Sequence, residues 1–581
     1  MFFTPGRRSG SLPELQMSAV LLAILPMAWL VPNHYLPWTA AWQEGFALFV
    51  LMAAALIQRR SARLPAIWAV ALGVALASIA IQWLTGVILF GGDALMAALY
   101  LAAFTLSIGL GTTLPDDAPP GQISALEAVA LGTVAAAIAS VGIALVQWTG
   151  TLSLGIYAAD LPPGGRPFGN VAQANQLCTL AFLSLCSLGL LRETGRIGAS
   201  AYWIAGTLLA AGMVMSGSRT GWLQMGTLVL LVAALHRRSA GRLRLRHAMI
   251  LVAVFAVTTV GWPLLNEALL LAGGRGVTQQ LDGGARGPLW WSLLDAVSRQ
   301  PLTGYGWQQA VLAQQAVALD HPATLHHFDH SHNVVLDLLL WAGIPAGGLI
   351  IVLVAWALLR QFRVAQDARV TWLLIAVAGV LAHAMLELPH EYAYFLLPTG
   401  LALGAAHAIS PAGRSWRLPV IATRSLGAAL AALLLAVGVE YLQAESSYRL
   451  LRLESARIGV GGLTTPPPEL RLLTQLSAFQ KFAHTEARAG MTPAELESMR
   501  RVSLRFPYPP AMFRYSIALG LNGHAEQAMT ELARLCRIHP AERCREAQEG
   551  WNVARGQYKE LATVAPSTMD SRPVASSLPP R

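Results

Sequence analysis

Lysine is almost absent from this chain of 581 residues, and charged residues of all kinds make up only 12% of it. A soluble domain of average composition carries about twice that charged fraction. The two lysines, Lys481 and Lys559, both lie near the C-terminal end, so every basic residue before them is an arginine. Together with 55% hydrophobic residues and a mean hydropathy of +0.50, this composition excludes an ordinary soluble protein.

Metal-binding and nucleic-acid-binding patterns are also missing. The four cysteines lack the paired spacing of zinc ligands, and no Asp-x-Asp motif occurs, so we expect neither a metal nor another cofactor. No basic soluble patch with interleaved aromatic residues accompanies the net charge of +10, so we expect no nucleic-acid partner. Cys178 and Cys186 lie in an apolar segment and are expected to be buried. Cys536 and Cys544 flank a turn, where a disulfide and two free thiols remain open alternatives.

The chain contains long apolar runs instead. A hydrocarbon core of about 30 Å needs about 20 apolar residues per helix, and about thirteen such segments precede residue 440. The predicted fold is therefore all-α, a polytopic membrane helix bundle of about 12–13 spans. The segments lie at 17–32, 44–57, 65–84, 92–110, 125–148, 172–191, 200–215, 220–235, 248–271, 332–358, 370–388, 392–408 and 425–440.

The arginines predict the orientation of this bundle. If the N-terminus is cytoplasmic, most arginines fall in inner loops, where positive charge normally collects and can contact anionic lipid head groups. This asymmetry favours a multi-pass membrane protein whose N-terminus is cytoplasmic. The exceptions on the periplasmic side, up to residue 440, are Arg166, Arg219, Arg275, Arg286 and Arg299. An external arginine beside apolar helices suggests an anionic ligand, because guanidinium matches phosphate with two parallel donors.

The chain divides into three predicted regions. Residues 1–440 form the membrane body, whose longest external loop, 272–331, contains a short interfacial helix around 289–297. Residues 441–565 form a periplasmic helical domain, in which a helix, an Asn-Gly turn and a second helix after Pro509 resemble a tetratricopeptide hairpin. Residues 566–581 are rich in serine and proline and are expected to be disordered.

Polar residues gather at the outer ends of the spans, where they are candidates for a binding site. Arg219 lies in a short turn that also exposes backbone N–H groups of the next helix, an arrangement that favours anions. His332 stands at a helix start, where a neutral imidazole can accept a proton. Helix capping, snorkelling and surface exposure remain alternatives for these residues. The candidates for substrate binding are Arg166, Asn170, Gln173, Asn175, Gln176, Tyr305, His330, Asn333, Glu387, His390 and Glu44.

Taken in order, these motifs resemble the bacterial O-oligosaccharyltransferases, within the superfamily of O-antigen ligases and O-antigen polymerases. The resemblance covers most of residues 1–440. Its motifs are Arg166-Pro-Phe-Gly-Asn, Ser216-Gly-Ser-Arg-Thr-Gly, Arg286 with Trp290, Pro301-Leu-Thr-Gly-Tyr-Gly, His330-Ser-His-Asn and Trp341-Ala-Gly-Ile-Pro. The protein-glycosylating branch is indicated by Pro32-Asn-His-Tyr-Leu-Pro-Trp, Gln43-Glu44, Ile81-Gln82, Glu387-Leu-Pro-His and the extended tail.

The resemblance implies transfer of a preassembled glycan from undecaprenyl pyrophosphate to a hydroxyl on the periplasmic side. Arg219 and Arg286, with Arg166, would hold the pyrophosphate, and His332 would take the proton of the acceptor in an inverting reaction. Ser or Thr of a pilin-like protein is the expected acceptor. Lipid A-core, or a growing O-antigen, is the alternative within this superfamily. A transporter of a lipid-linked anion is the alternative outside it, but that function predicts charged residues at mid-span depth, and the spans here are nearly free of charge.

Overall fold

The computed structural model of the protein describes residues 17–115, 122–171, 173–239, 241–242, 244–271, 286–456 and 466–562. These residues are almost entirely helical, which confirms the all-α class. The helices of the membrane body are α1 (Met17–Ile24), α2 (Ala41–Leu56), α3 (Ala66–Leu84), α4 (Gly91–Gly111), α5 (Ala125–Thr149), α6 (Ala174–Glu193), α7 (Ala199–Met215), α8 (Thr220–Leu235), α9 (Leu245–Ala268), α10 (Arg286–Arg299), α11 (Ala310–Val317), α12 (Val334–Val364), α13 (Ala368–Ala384), α14 (Ala393–Ile409) and α15 (Val420–Ser455).

Membrane-crossing helices dominate this part of the chain. Within the described ranges, seven helices are long and apolar enough to cross a membrane, namely α3, α4, α5, α6, α9, α12 and α15. The six shorter apolar helices include α1, which continues as a 3-10 helix (Leu25–Leu30) that begins just before Pro26. Each predicted apolar segment overlaps one helix of these two groups. The chain is therefore a multi-pass membrane protein.

Loops with many arginines meet at one end of the bundle. Two short strands, β1 (Ala62–Pro65) and β2 (Ser415–Leu418), form an antiparallel ribbon that places Arg63 opposite Arg417. No sequence pattern predicted this ribbon. Arg196 reaches Glu127 at 2.9 Å and joins two further loops of the same predicted side. These contacts agree with the grouping of loops by charge.

Helix α12 is interrupted at Gly343, whose φ of 71° lies in the left-handed region. The loop after α10 supplies the hydrogen bonds that the helix loses there. The N–H of Tyr305 donates to the carbonyl of Leu340 at 2.6 Å, and the N–H of Ile344 donates to the carbonyl of Pro301 at 2.7 Å. A Cβ on Gly343 would lie 2.5 Å from the carbonyl oxygen of Leu302, so only glycine fits. The N-terminal part of α12 is thus held by this loop.

The tail begins as a continuation of α15, which runs past residue 440 to Ser455. It then forms α16 (Thr474–Ala483), α17 (Pro493–Arg505), α18 (Pro509–Leu521), α19 (Ala525–Ile538) and α20 (Ala541–Gln557). Helices α18 and α19 confirm the predicted helix, turn and helix; their likeness to a tetratricopeptide repeat stays a prediction. Cys536 and Cys544 form a disulfide.

The tail packs on the membrane body. Arg505 of α17 donates two hydrogen bonds of 3.1 Å to Asp93 at the start of α4, and Asp93 is only 3% exposed. The N–H of Leu325 donates to the carbonyl of Arg537, and the ring of His327 lies 5.4 Å from that of His539. The tail therefore contacts the loop that leads to His330 and His332.

Candidate active site

Glu387 is the centre of a polar cluster in the turn between α13 and α14. Its Oε2 lies 3.1 Å from the Nδ1 of His332, and its Oε1 accepts a hydrogen bond of 2.9 Å from the Nδ2 of Asn175. Arg286, the first residue of α10, donates to the same Oε1. Three elements that are distant in sequence thus meet at one carboxylate.

The backbone before α12 places His332 beside this carboxylate. His332 has a φ of 58°, a conformation that few residues other than glycine adopt. Asn333 caps α12 by accepting from the N–H groups of Val335 and Leu336. On the other side of His332, the N–H of Ser331 donates to the buried Asp337 at 2.7 Å. These bonds fix both neighbours of His332, and they assign Asn333 to capping.

Two further arginines border the cluster. The Nη1 of Arg166 donates to the carbonyl of Ser216 at 3.0 Å and lies 3.5 Å from the Oδ1 of Asn175. Arg219 stands at the N-cap of α8, where the helix exposes its first N–H groups. The pKa of Arg286 lies below its usual value because of burial and also because of the nearby positive charge of Arg219. Arg166 therefore borders the cluster at Asn175, and Arg219 lies near Arg286.

Glu387 is ionised and sets the tautomer of His332. Burial raises the pKa of Glu387, but the hydrogen bond from His332 and the charge of Arg286 outweigh burial and bring the pKa below its ordinary value. A carboxylate accepts hydrogen bonds only, so the Nδ1 of His332 carries the proton that it donates. In the neutral imidazole Nε2 then carries the lone pair, which is the form needed to accept a proton from a substrate.

A second carboxyl, Glu391, lies four residues further along the same turn. Its Oε2 accepts a hydrogen bond of 3.0 Å from Gln308, and its Oε1 lies 3.5 Å from the Nε2 of His390 and 4.0 Å from the Nδ1 of His330. Burial lowers the pKa of His330 to about 4 and that of His390 to about 3, so both rings are neutral at pH 7. Both histidines were among the predicted substrate-binding residues, whereas Glu391, in the same Pro-His-Glu turn at a span end, was not.

Four of the predicted residues serve other parts of the structure. Asn170 is fully buried and makes three hydrogen bonds to backbone groups of the preceding loop and of Leu30. Tyr305 is buried and donates to the carbonyl of Ala296. Glu44 accepts from Trp38, Tyr100 and the N–H of Ala393. Gln176 donates to Gln173 and accepts from Tyr394. These groups hold the walls of the site, while Gln173 itself is exposed.

The last two of the five arginines predicted to be external are Arg275 and Arg299. Arg275 lies outside the described residues. Arg299 forms ion pairs with Asp295 at 2.6 Å and with Asp320 at 2.8 Å on the surface. Among the described residues, no group of three or more His, Cys, Asp or Glu side chains is arranged to hold a metal ion. Independence from metal stays a prediction.

Comparison with known proteins gives consistent matches along the chain. A family model described as O-antigen ligase matches residues 204–351, which include Arg219, Arg286 and His332. A second family model, described as virulence factor membrane-bound polymerase, C-terminal, matches residues 370–554. The general O-oligosaccharyltransferase of Acinetobacter baylyi is 30% identical over 548 residues, which are 90% of this chain and 92% of that protein. The ComP-specific O-oligosaccharyltransferase of the same organism is 30% identical over 243 residues, which are 41% of this chain and 44% of that protein.

Proposed function

Because this chain belongs to the O-oligosaccharyltransferases of the O-antigen ligase superfamily, and so is a glycosyltransferase of the membrane, we propose that it uses undecaprenyl pyrophosphate as the carrier of its glycan donor. We further propose that transfer takes place on the periplasmic side of the bacterial inner membrane, without a metal. The acceptor is the hydroxyl of a Ser or Thr in a periplasmic protein of the pilin type.

The contacts of Arg286 and His332 with Glu387, with Arg166 and Arg219 at the border of this cluster, carry this proposal. A diphosphate is a good leaving group only when its charge is neutralised, and fixed cations in a partly buried site do this without reorganisation. Arg286 donates to Glu387, which His332 also contacts. Arg219 lies near Arg286, and Arg166 reaches the same cluster through Asn175. The cluster thus supports one reaction centre with a cationic side and a basic side.

The reaction follows from these positions. The acceptor oxygen attacks the anomeric carbon while the Nε2 of His332 takes the hydroxyl proton. The bond between that carbon and the diphosphate oxygen breaks, and the diphosphate leaves with the electron pair toward Arg219 and Arg286. Attack from the side opposite to the leaving group inverts the anomeric configuration. Glu387 stabilises the imidazolium that forms, as a carboxylate does for the histidine of a catalytic triad.

His332→Ala tests the assignment of the base. Purified protein is mixed with a labelled undecaprenyl-pyrophosphate oligosaccharide and a pilin, and labelled pilin is quantified. We expect the rate to fall by about 10²–10⁴-fold, the usual contribution of a general base. His524→Ala, which changes an exposed histidine of the tail, is the control and should transfer normally. Wild-type rates in His332→Ala would reject the role.

The choice of acceptor needs a separate experiment, because the donor chemistry is the same for every acceptor hydroxyl. The wild-type protein is given the labelled donor with equal amounts of pilin and lipid A-core, and the labelled product is identified. Glycopilin with the glycan on Ser or Thr supports the proposal. Labelled lipopolysaccharide would replace it by an O-antigen ligase function, and a lengthened lipid-linked glycan would replace it by a polymerase function.

A further inference from the structure

The turn between α13 and α14 carries two carboxyls with different surroundings. Glu387 meets Arg286 and His332 in the cationic cluster, whereas Glu391 faces two neutral histidines and the amide of Gln308. Glu391 also borders an apolar cavity of about 160 Å³ between α3, α4, α12 and α14. The reaction proposed above gives Glu391 no task.

Several buried polar atoms around Glu391 lack a partner. Within the described part of the chain, the Nδ1 of His330, both ring nitrogens of His390 and the Nε1 of Trp341 make no hydrogen bond. A carboxylate is an acceptor only, whereas a protonated carboxyl adds one O–H donor that a neutral imidazole can accept. The Oε1 of Glu391, at 3.5 Å from His390 and 4.0 Å from His330, is the carboxyl oxygen nearest to both rings.

We propose that Glu391 acts in its protonated form as a positioning residue between the turn that carries Glu387 and the segment that carries His332. Its carboxyl stands between His390 of the turn and His330 of the facing segment, and Gln308 holds its other oxygen. Since His330 precedes His332 by two residues, this arrangement keeps the imidazole of His332 in reach of Glu387. The inference rests on the proposed function, because it needs His332 to be the base.

The surroundings of Glu391 disfavour its charged form. Burial, and then the negative charge of Asp337 from α12, raise the pKa of Glu391 from 4.5 to about 8, and Glu44 from α2 acts in the same direction. The other titratable groups that interact with Glu391 are Tyr100, Tyr392, His330 and His390. Arg286 and Arg219 lie on the Glu387 side.

The sign of the pH dependence follows from this shift. Between the ordinary pKa of 4.5 and about 8, the folded protein holds a proton on Glu391 that the unfolded chain has lost. Above about pH 8 the carboxyl ionises beside Asp337, and the contact between the turn and the His330 segment is lost. Ionisation of Glu391 should therefore make transfer decline on the alkaline side.

The experiment compares the pH profile of kcat for wild type, Glu391→Gln and Glu391→Ala, in the full-length protein with the labelled donor and acceptor. Glutamine keeps the shape and a donor but cannot ionise, so we expect near-wild-type rates at pH 7 and no decline up to pH 9. Wild type should lose about tenfold between pH 7 and pH 9, as a single ionisation near pH 8 requires. Glu391→Ala should be slow at every pH, with an unchanged KM for the donor.

Each outcome decides one question. An alkaline decline of the same size in Glu391→Gln, or wild-type rates in Glu391→Ala, would overturn the role of Glu391. Gel filtration in detergent shows whether Glu391→Ala is folded; if it is not, the glutamine profile alone decides. Full activity of His332→Ala would instead overturn the proposed function, and the profile of Glu391→Gln would still be read on its own.

Discussion

Replacing Glu387 by glutamine removes the negative charge at the centre of the site with little change in shape. In the wild type this carboxylate accepts from Asn175 at 2.9 Å, from His332 at 3.1 Å and from Arg286. Hydrogen bonds to a charged group contribute about 1.5–3 kcal/mol each. The amide oxygen of glutamine still accepts one of these hydrogen bonds, so the other two are weakened. Every 1.36 kcal/mol added to the activation barrier slows the reaction tenfold. We expect kcat to fall by about 10²–10⁴-fold.

The change should act on kcat more than on donor binding. Without Glu387, the charge of Arg286 is no longer offset, so the KM for the lipid-linked donor should stay equal or decrease. The glutamine amide can also donate to His332 and favour the wrong tautomer, with the proton on Nε2. Steady-state transfer with varied donor at pH 7 separates the two parameters. Glu469→Gln, an exposed carboxyl of the tail, is the control. A kcat within threefold of wild type in Glu387→Gln would refute the assignment.

Three further predictions address the cations, the tail and the disulfide. Arg286→Lys keeps the charge but loses the two-pronged donor, so the KM for the donor should rise about tenfold in the same assay. Arg505→Ala leaves Asp93 buried without its partner, so it should cost about 3–5 kcal/mol of stability, measured as a lower Tm in detergent. The control, Arg500→Ala, breaks an exposed ion pair and should cost less than about 1 kcal/mol. Cys536→Ser should lower the free energy of unfolding of the tail by about 2–4 kcal/mol and make the Tm insensitive to reductant. These predictions would be contradicted by an unchanged KM in Arg286→Lys, an unchanged Tm in Arg505→Ala, or an unchanged sensitivity of the Tm to reductant in Cys536→Ser.

Much of the fold could be predicted because membrane spans depend on local composition. Each apolar segment corresponds to a helix. The loops predicted from their charge to lie on one side of the membrane contact one another, as Arg196 and Glu127 show. The helical hairpin of the tail followed from its Asn-Gly turn and apolar spacing. The β1–β2 ribbon and the break in α12 were missed. Both depend on which loops meet in space, which local patterns do not encode.

The candidate site was predictable as a set of residues and not as a set of contacts. External loops of membrane proteins normally contain few arginines, which is why Arg166, Arg219 and Arg286 stood out. The pairing of Glu387 with His332 joins residues 55 positions apart, and no local signal specifies it. Asn170 and Tyr305 were predicted to bind substrate, but their side chains bond to the protein backbone. The same side chains suit sugar hydroxyls equally well.

The interruption of α12 at Gly343 has a mechanical consequence. The N-terminal segment of α12, which begins beside His332, is hydrogen-bonded to the loop of Pro301 to Gly306 and to Gln82. We expect a thicker or thinner bilayer to tilt the C-terminal half of α12 about Gly343 while the N-terminal segment stays in place. We therefore expect turnover to be nearly independent of acyl-chain length in reconstituted vesicles. Lipids would then influence turnover through the lipid-linked donor and not through bending of α12 at Gly343.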